Sequence, residues 1–442
     1  MKKKTFLITA CLLFGLVVAF SAYAAGGGEK KPAAANVELV VFSHMVHQTA
    51  LEGVPGGGKN LVAEFIKLHP EVTGVRFITA GTPQIKDKLF REAALSKTEF
   101  DISLVYTPWI SPSMPDFFVP LDDYLTKSPI EDYNDIFQNL RDALIIGGKT
   151  YAVPMRASGE GLYYNKKILA ERGITKPPES VEELVEAIKR CSFTRPNGEV
   201  VYGLAKQGIK AQIGETIADY FRPKDADYCT TDYKLMMTDP RVLEAINYFR
   251  EFYAMKAIPP DFFTMENKDF VEMFKRGRAA FTGAGPSYMV QFTGADGLPA
   301  ADIGYVNYPA SKDYKAKYPV ASPTLNFQWA FVIPKGCQNK DLAWEFIRFM
   351  NSKEGVFNQS FSGNEPIRAS IFQDPNYIAK NPLFTQQQNI FKYGRPLWKG
   401  FDDYTEANDI LGEELQRAVS GQKTALQAMQ DAERQIRPLL PK

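Results

Sequence analysis

Short apolar segments alternate along the chain with segments whose apolar residues recur at helical spacing. Apolar runs at residues 37–42, 75–78 and 102–106 have the length of buried strands. Residues 60–68 and 84–96 lie between them and have the periodicity of amphipathic helices. Strands that alternate with helices are typical of βαβ units, so the pattern predicts an α/β fold built on mainly parallel sheets flanked by helices.

The same patterning continues to the end of the chain. Ser180 and Glu183 have the spacing of a capping box and predict a helix over residues 181–190. Large apolar residues occupy every second position over residues 327–333, which predicts a strand. Residues 404–440 predict two final helices. No internal repeat interrupts this organisation, and the length favours two domains.

The amino-terminal residues differ from the rest of the chain. Three lysines at positions 2–4 precede an uncharged apolar run at residues 6–20, and Ala22-Tyr23-Ala24 fits the small-x-small cleavage pattern. These features predict a signal peptide over residues 1–24, cleaved after Ala24, and a flexible tail over residues 25–36. The apolar run is shorter than the ~20 residues that a membrane span needs. We therefore expect an exported, periplasmic protein.

The charge balance argues against a nucleic-acid partner. The chain has 52 Lys and Arg against 51 Asp and Glu, a net charge of +1. Removal of the three lysines of the leader leaves 49 bases against 51 acids, and so a net charge of −2. Nucleic-acid binding requires a clustered basic surface, which this balance does not suggest.

Three cysteines remain after the leader: Cys191, Cys229 and Cys337. The chain has no C-x-x-C spacing, so zinc and redox motifs are absent from the sequence. An oxidising compartment allows one disulfide, for which Cys191 and Cys229 are the candidates. The third cysteine is then expected to be a buried thiol.

Motifs for nucleotides and metals are weak. Residues 53–59 match G-x-x-x-x-G-K, but Asn60 follows where Ser or Thr would hold magnesium, so a loop that leads into a helix is the better interpretation. His44 and His47 are three residues apart, and a metal pair without further ligands is a weak signal. Adjacent tyrosines at 163 and 164 would face opposite sides of a strand, which disfavours an iron site. We predict no metal, cofactor or catalytic residue.

Candidate ligand residues follow the predicted strands, because ligands of α/β folds bind beyond the carboxyl ends of strands. The residues in these positions are Ser43, His44, Thr82 and Trp109. A tryptophan in a loop is costly to expose unless it meets a ligand, which favours Trp109 and also Trp398. Trp329, at the start of a predicted strand, is a further candidate.

Seven segments spread over the chain resemble those of one family. They are DISLVYTPW (101–109), GKTYAVP (148–154), LYYNKKIL (162–169), PPESVEEL (177–184), FKRGRAAF (274–281), AWEFIRF (343–349) and GNEPIR (363–368). In this order and spacing they resemble the family 1 extracellular solute-binding proteins of ABC transporters, which include maltose-binding-protein-like sugar-binding proteins.

The resemblance implies a two-lobed periplasmic binding protein of type II, with the ligand in a cleft between lobes that close by a hinge motion. The implied amino-terminal lobe comprises residues 37–156 and 307–351, and the carboxyl-terminal lobe residues 157–306 and 352–442. The implied partners are the permease subunits of an ABC importer with their ATPase, and the implied state is a monomer. The chain departs from the family pattern at residues 51–60, a Gly-rich stretch near the expected cleft, and at residues 327–329, where many members carry a Gly-Gly pair.

A sugar has an apolar C–H face and a rim of hydroxyls, so a sugar site needs rings and planar polar groups. The resemblance adds candidates of both kinds. The expected rings are Trp109, Tyr288, Phe327, Trp329 and Trp398, and the expected polar groups are Arg156, Glu160, Asn364 and Arg368. For Arg368 a salt bridge within a lobe is the alternative.

The function expected from these observations is capture of a carbohydrate, mono- or oligosaccharide, for an ABC importer. Two alternatives stay open. The same lobes could bind another solute, such as a ferric ion, a polyamine or glycerol phosphate. A secreted glycan-degrading enzyme is the other alternative, although no catalytic motif distinguishes any pair among the 51 carboxylates.

Overall fold

A computed structural model describes residues 36–294, 296–318 and 320–441 of the protein. The predicted signal peptide and nearly all of the predicted tail lie outside the described residues. Among the described residues, none of the helices combines the length and the hydrophobicity that a membrane span requires.

Twelve strands form two five-stranded sheets and one hairpin in the described part of the chain. The first sheet has the order β2-β1-β3-β12-β6, the second has the order β11-β7-β10-β9-β8, and β4 pairs with β5. The strands are β1 (Val37–Ser43), β2 (Val72–Thr79), β3 (Ile102–Tyr106), β4 (Ile145–Ile146), β5 (Lys149–Thr150), β6 (Val153–Gly159), β7 (Gly161–Asn165), β8 (Phe193–Thr194), β9 (Val200–Leu204), β10 (Ala279–Ala284), β11 (Ile303–Val306) and β12 (Asn326–Val332).

Helices cover both sheets. They are α1 (Met45–Glu52), α2 (Leu61–Leu68), α3 (Thr82–Ala93), α4 (Met114–Phe117), α5 (Asp122–Lys127), α6 (Gln138–Asp142), α7 (Lys166–Glu171), α8 (Val181–Arg190), α9 (Ile213–Phe221), α10 (Pro240–Ala254), α11 (Asn267–Lys275), α12 (Met289–Phe292), α13 (Lys312–Lys317), α14 (Lys340–Met350), α15 (Lys353–Ser360), α16 (Pro375–Lys380), α17 (Phe384–Tyr393), α18 (Tyr404–Val419) and α19 (Ala425–Ile436). The predicted two-lobed α/β architecture is confirmed.

The first sheet is buried on both faces, which explains its continuous apolar strands. Leu39 and Val41 of β1 belong to the core on one face, whereas Val40 and Phe42 belong to the core on the other. This alternation is the two-residue period of a strand. The carboxyl ends of β1, β2 and β3 meet at one edge, because β1 runs parallel to both neighbours.

Strand direction is more mixed than the expected mainly parallel sheets. β12 runs antiparallel to both β3 and β6, and β7 runs antiparallel to both β10 and β11. In the second sheet only β9 and β10 are parallel among the described pairs. The reason is that β6, β7 and β12 lie where the chain passes between the lobes, so they enter a sheet from the other lobe rather than through a βαβ crossover.

The chain crosses between the lobes at points that differ from the expected boundaries. β6 ends at Gly159 in the first sheet and β7 begins at Gly161 in the second, so the first crossing is Glu160 rather than residues 156–157. Residues 307–325 lie with the second lobe, since Ser311 N donates to Pro223 O (2.9 Å). The chain returns at β12. α15 packs against α1 and α14 of the first lobe, which moves the third crossing beyond residue 351.

The Gly-rich loop before α2 is docked on the first lobe. Gly58 N donates to Ser362 Oγ (3.1 Å), and Lys59 N donates to Asn358 Oδ1 (3.2 Å). A Cβ atom at Gly58 would lie 1.9 Å from the Asn358 carbonyl oxygen, so only glycine fits this approach. These contacts hold the loop against α15, and its amides are used within the fold.

Cys191, Cys229 and Cys337 are free thiols, so the Cys191–Cys229 disulfide that the sequence allowed is not formed. Cys191 lies in the hydrophobic core of the second lobe at the end of α8. Cys229 lies in a loop that pairs with Leu235 and is only partly buried there.

Candidate functional site

A cavity of about 500 Å³ lies between the lobes, next to the first crossing. It receives side chains from the end of β3, from β12 and from the second lobe, and Glu160 of the crossing faces it. Its lining residues are Tyr106, Glu160, Gln207, Ala211, Gln212, Glu215, Asn267, Phe270, Ala284, Tyr288, Phe327, Tyr404, Thr405, Asn408 and Asp409.

Four rings form what we call the aromatic wall: Tyr106, Trp109, Phe327 and Trp329. Tyr106 is the last residue of β3, and its ring centroid lies 5.8 Å from Trp109, 5.5 Å from Phe327 and 5.2 Å from Trp329. Trp109 and Trp329 meet edge to face at 5.2 Å. Phe327 and Trp329 share a face of β12 because they are two residues apart on a strand. The wall therefore presents an apolar surface to the cleft.

Two histidines stand behind the aromatic wall. The ring of His47 lies 4.9 Å from Trp329, and neither of its nitrogens has a hydrogen-bond partner among the described residues. Burial, with the nearby charges of Arg156 and His44, lowers the pKa of His47 well below its usual range. His44 Nδ1 accepts from Val46 N (3.2 Å) and caps α1. Both rings are used in packing or capping, and the described residues contain no group of three metal-ligating side chains.

The opposite side of the cavity carries four ionisable residues, which we call the acidic wall: Glu160, Lys206, Glu215 and Asp219. Lys206 Nζ donates to Glu160 Oε2 and to the Gly283 carbonyl oxygen (2.8 Å). Glu215 and Asp219 lie four residues apart on α9 and so share one face. A Cβ atom at Gly283 would lie 2.1 Å from the Tyr308 hydroxyl oxygen, 3.2 Å from Glu160 Oε2 and 3.3 Å from Lys206 Nζ, so only glycine fits beside the ion pair.

Burial changes the protonation of this wall. It raises the pKa of Glu215 to about 7, with a further increase from the Glu160 charge. It raises the pKa of Asp219 to about 8, and that residue is only 1% exposed. For Lys206 burial would lower the pKa, but the surrounding carboxylates outweigh it and the pKa is raised. The wall therefore holds one ammonium, paired with Glu160, and two carboxyls that bind protons near neutral pH.

A polar rim completes the second-lobe side. Tyr288 OH donates to Asn267 Oδ1 (2.8 Å), and the Tyr288 ring stacks on Phe270 at 6.1 Å. Asn408 at the start of α18 donates through Nδ2 to Ala211 O (3.0 Å). Amide, phenol and carboxylate groups thus surround the cavity opposite the rings.

The lobes touch each other beside this cavity. Lys86 Nζ of α3 donates to Thr405 Oγ1 of α18 (3.0 Å). Ser111 and Ser113 of the first lobe donate to Asp402 Oδ1 (2.5 and 2.6 Å). These bonds close the structure around the cavity.

Nine of the residues expected from the sequence lie at or beside the cleft. Glu160, Tyr288 and Phe327 line the cavity, and Trp109 and Trp329 belong to the aromatic wall. The other four lie at the carboxyl edge of the first sheet or on β6: Ser43, His44, Thr82 and Arg156.

Arg156 has an unusual environment. It lies opposite Trp329 across the β6–β12 pair, and no side-chain hydrogen bond or salt bridge joins its guanidinium to another described residue. Its charge lowers the pKa values of His44 and His47, which places the guanidinium near both rings. Glu365, buried with neither carboxylate oxygen hydrogen-bonded among the described residues, is also within its field. Burial raises the pKa of Glu365 to about 7 despite the Arg156 charge.

Arg368 is a structural residue instead of a cleft residue. It is 0% exposed, and its guanidinium donates to the carbonyl oxygens of Asn351 (2.6 Å), Asp132 (2.9 Å) and Glu131 (2.5 Å). It also pairs with Asp135 Oδ2 (3.3 Å). Arg368 therefore forms the salt bridge within the fold that the sequence analysis gave as the alternative. All of its guanidinium N–H groups donate to residues of the fold, so none is left for a ligand.

Asn364 and Trp398 also lie away from the cavity. Asn364 Nδ2 donates to Met155 O (3.1 Å) and Gln359 Oε1 (3.0 Å), which ties the third crossing to β6. Trp398 packs in the second-lobe core against Tyr228 at 6.4 Å. A loop tryptophan thus avoids water by burial within its own lobe rather than by contact with a ligand.

Most of the acidic wall was not predicted from the sequence. Lys206 follows β9, a strand that the pattern did not predict, and Glu215 and Asp219 have the spacing of an ordinary solvent-facing helix pair. Tyr106 could have been predicted as a site residue, because it is the last residue of a correctly predicted strand. The signal that could have found it is the strand-end rule already applied to Trp109.

Comparison with known proteins identifies relatives of this architecture. The family model described as bacterial extracellular solute-binding protein matches residues 55–357. The chain is 27% identical over 286 residues to the maltotriose-binding protein of Pyrococcus abyssi, covering 61% of this chain and 58% of that one. It is 25% identical over 261 residues to the erythritol/L-threitol-binding protein of Mycolicibacterium smegmatis, covering 54% of this chain and 52% of that one.

The chain spans about half to three fifths of the length of the curated relatives it matches. Among solved structures, the sugar-binding protein MalE from Xanthomonas citri superimposes with a TM-score of 0.75 at 18% identity, covering 91% of this chain and 97% of that one. At this identity the likeness bears on the fold alone.

Proposed function

This chain belongs to the bacterial extracellular solute-binding proteins, and we propose that it captures a carbohydrate, a mono- or oligosaccharide, between its two lobes for an ABC importer. The observation that carries the proposal is the cavity of about 500 Å³ with rings on one side and hydrogen-bonding groups on the other. Relatives named for maltotriose and for erythritol and L-threitol support a polyhydroxylated ligand.

The chemistry of the cavity suits a sugar. The C–H face of a pyranose stacks on Phe327 and Tyr106, while its hydroxyls reach Glu160, Asn267 and Tyr288. A micromolar site needs about 8 kcal/mol of binding free energy. Each hydrogen bond contributes ~0.5–1.5 kcal/mol, and ring contacts add buried area, so several of each are required. The two walls offer both in sufficient number.

The polar groups at the first-sheet edge extend the proposed site. Arg156 and His44 lie behind Trp329, Ser43 ends β1, and Thr82 begins α3 after β2. We propose that a longer ligand extends towards His44, Thr82 and Arg156, and that Ser43, which is 0% exposed, supports this edge from within the fold. Asn364, Arg368 and Trp398 are left out of the proposed site because their polar groups or rings are used within the fold.

Capture by this geometry involves a hinge motion. The lobes join at Glu160, at the start of β12 and beyond α15, so a rotation about these crossings opens the cleft. The direct bonds from Lys86 to Thr405 and from Ser111 to Asp402 would break in the open state. We further propose export with cleavage after Ala24, action as a monomer in the periplasm, delivery to permease subunits with their ATPase, and no catalysis.

A thermal-shift screen of the full mature chain against mono- and oligosaccharides tests the proposal. A sugar at 100 times its dissociation constant adds about 2.7 kcal/mol of stability and raises the melting temperature. Ferric ion, spermidine and glycerol phosphate form the comparison set. If one of these raises the melting temperature while no sugar does, the carbohydrate proposal is wrong, and release of shorter sugars from an oligosaccharide would reveal an enzyme.

A further inference from the structure

A second cavity, of about 420 Å³, lies on the other side of β12 from the cleft. We call it the hinge-strand cavity. Its walls come from both lobes: α6 and Ile110 from the first, and the segments 227–231 and 394–400 from the second. Phe327 borders both cavities, so the strand that carries the aromatic wall separates them.

Two buried amide side chains face the hinge-strand cavity. Asn326 and Gln328 alternate with Phe327 and Trp329 along β12, so they share the face that is turned away from the cleft. They are 3% and 2% exposed. Gln328 Nε2 donates to Leu140 O (2.8 Å), which fixes the orientation of this amide and leaves Oε1 pointing away from that bond.

Neither amide oxygen is satisfied within the described residues. Gln328 Oε1 and Asn326 Oδ1 are both buried and have no hydrogen-bond partner there. Buried polar atoms are normally paired, so two on one face of one strand, both in the lining of one cavity, indicate a missing donor. The spacing of i and i+2 on a strand puts them about 7 Å apart.

The remaining lining determines which molecule would fit. Most of its accessible surface is apolar, with contributions from Ile110, Leu140 and Leu397, although polar side chains are numerous in the lining. The charge of its Arg395 is offset by Asp227, whose Oδ2 lies 2.8 Å from Arg395 Nε. Asp142 and Lys399 add one charge of each sign. An uncharged molecule with an apolar body and two hydroxyl donors matches this lining.

We propose that the hinge-strand cavity is a second ligand site, which takes a small uncharged diol with an apolar body. The hydroxyls donate to Gln328 Oε1 and Asn326 Oδ1, and the body packs against the apolar side chains from both lobes. This site does not depend on the proposed carbohydrate function, since it uses the opposite face of β12.

Cys229 supplies a direct measurement, because its thiol lines the cavity and is only partly buried. The full chain is incubated with iodoacetamide at pH 8 with and without 1,4-benzenedimethanol, and alkylation of each cysteine is followed by mass spectrometry. The matched control compound is p-xylene, which has the same body without hydroxyls. Buried Cys191 and Cys337 serve as internal controls for unfolding.

The expected result is that the diol at four times its dissociation constant slows alkylation of Cys229 about fivefold, while p-xylene has little effect. Gln328→Leu removes one acceptor and should abolish this protection. Tyr288→Ala changes the cleft alone and should leave the protection unchanged. If Gln328→Leu does not fold, two other measurements test whether the diol binds through the amide oxygens. They are the protection of Cys229 in Asn326→Leu and the comparison of the diol with p-xylene in the unmodified chain.

Three results would overturn the proposal. The first is no protection of Cys229 up to the solubility limit of the diol, which would mean that water alone satisfies the amides. The second is equal protection by p-xylene, which would make the cavity an apolar groove without a polar site. The third is loss of protection in Tyr288→Ala, which would place the diol in the cleft. None of these assays contains a sugar, so their outcome is independent of the carbohydrate screen.

Discussion

The two walls of the cleft are held in place by different physics. The rings of the aromatic wall support one another by contact, as Tyr106 does with Trp109, Phe327 and Trp329. The acidic wall depends on one buried ammonium, Lys206, which is bonded to Glu160 and acts on Glu215 and Asp219.

This difference predicts how a substitution in each wall affects the protein. Loss of a ring removes contact area and leaves the other rings in place, so its effect is local. Loss of a buried charge leaves its partner unpaired in a medium that cannot solvate it, so its effect spreads to every group that it neutralised. The expected effects below follow this contrast, from the largest to the smallest.

Lys206→Met should have the largest effect on stability. It leaves Glu160 without its cation and should lower the free energy of unfolding by about 3–5 kcal/mol, as measured by urea denaturation at pH 7. The double variant Lys206→Met, Glu160→Gln removes both charges and should recover a large part of that loss. Equal instability of the single and double variants would show that the ion pair does not organise this wall.

Asp219→Asn should change the pH dependence of stability. Its carboxyl binds a proton up to about pH 8 in the folded chain, whereas the unfolded carboxyl ionises near 4. The free energy of unfolding of the native chain therefore decreases as pH rises between these two values. Asp219→Asn has no carboxyl at this position, so its free energy of unfolding lacks this decrease. The difference in unfolding free energy, variant minus native, should grow by up to about 1.4 kcal/mol per unit from pH 5 to pH 7.

Glu215 and Glu365 titrate in both proteins, so the difference between Asp219→Asn and the native chain reports Asp219 together with its charged neighbours Glu160 and Lys206. A difference that stays constant with pH would contradict protonation of Asp219. Melting temperatures at pH 5, 6, 7 and 8 provide the measurement.

Phe327→Ala should weaken sugar binding without involving charge. Loss of the buried ring area corresponds to about 1.5–3 kcal/mol, or roughly a 10- to 150-fold rise in the dissociation constant by calorimetry. Trp398→Phe is the matched control, because that ring is buried in the second-lobe core. It should lower the melting temperature and leave the affinity unchanged. The reverse pattern would remove Phe327 from the site.

Tyr288→Phe should have the smallest effect. It removes the hydroxyl that donates to Asn267 and keeps the ring stacked on Phe270. We expect a loss of ~0.5–1.5 kcal/mol in sugar binding, about a 2- to 10-fold rise in the dissociation constant, with the melting temperature near that of the native chain. A larger loss, seen by the same calorimetry, would mean that the rim hydroxyl is as important as a charge of the acidic wall.

The sequence predicted three of the four rings of the aromatic wall but only Glu160 of the acidic wall, and the reason is physical. An aromatic ring at the end of a predicted strand is conspicuous, and β3 was predicted to the residue, so Trp109 and its neighbours could be expected. Glu215 and Asp219 look like a solvated helix face in the sequence. Only packing against Lys206 and Glu160 makes them buried groups, and that packing is tertiary.

The same limit explains Trp398 and the lobe boundaries. A tryptophan in a loop is expected to be buried from solvent. The sequence does not tell whether a ligand or the residues of its own lobe bury it, and Trp398 is buried against Tyr228 of its own lobe. The family resemblance implied a lobe boundary before residues 307–325, although Ser311 of this segment bonds to Pro223 of the second lobe. Arg368 shows that a polar residue in a family-like motif can have a structural role, because its guanidinium donates hydrogen bonds to backbone carbonyl oxygens instead of to a ligand.

The position of β12 has a consequence for the folding of the nascent chain. Thr107 and Gln328 exchange hydrogen bonds across 221 residues, and β12 lies between β3 and β6. Until β12 is available, both of those strands present an unpaired edge, and such edges invite pairing with another molecule. Closing contacts of this sequence separation is slow. The interval before β12 joins the sheet is therefore when the chain is most exposed to misassembly, and a truncation before residue 326 would make that exposure permanent.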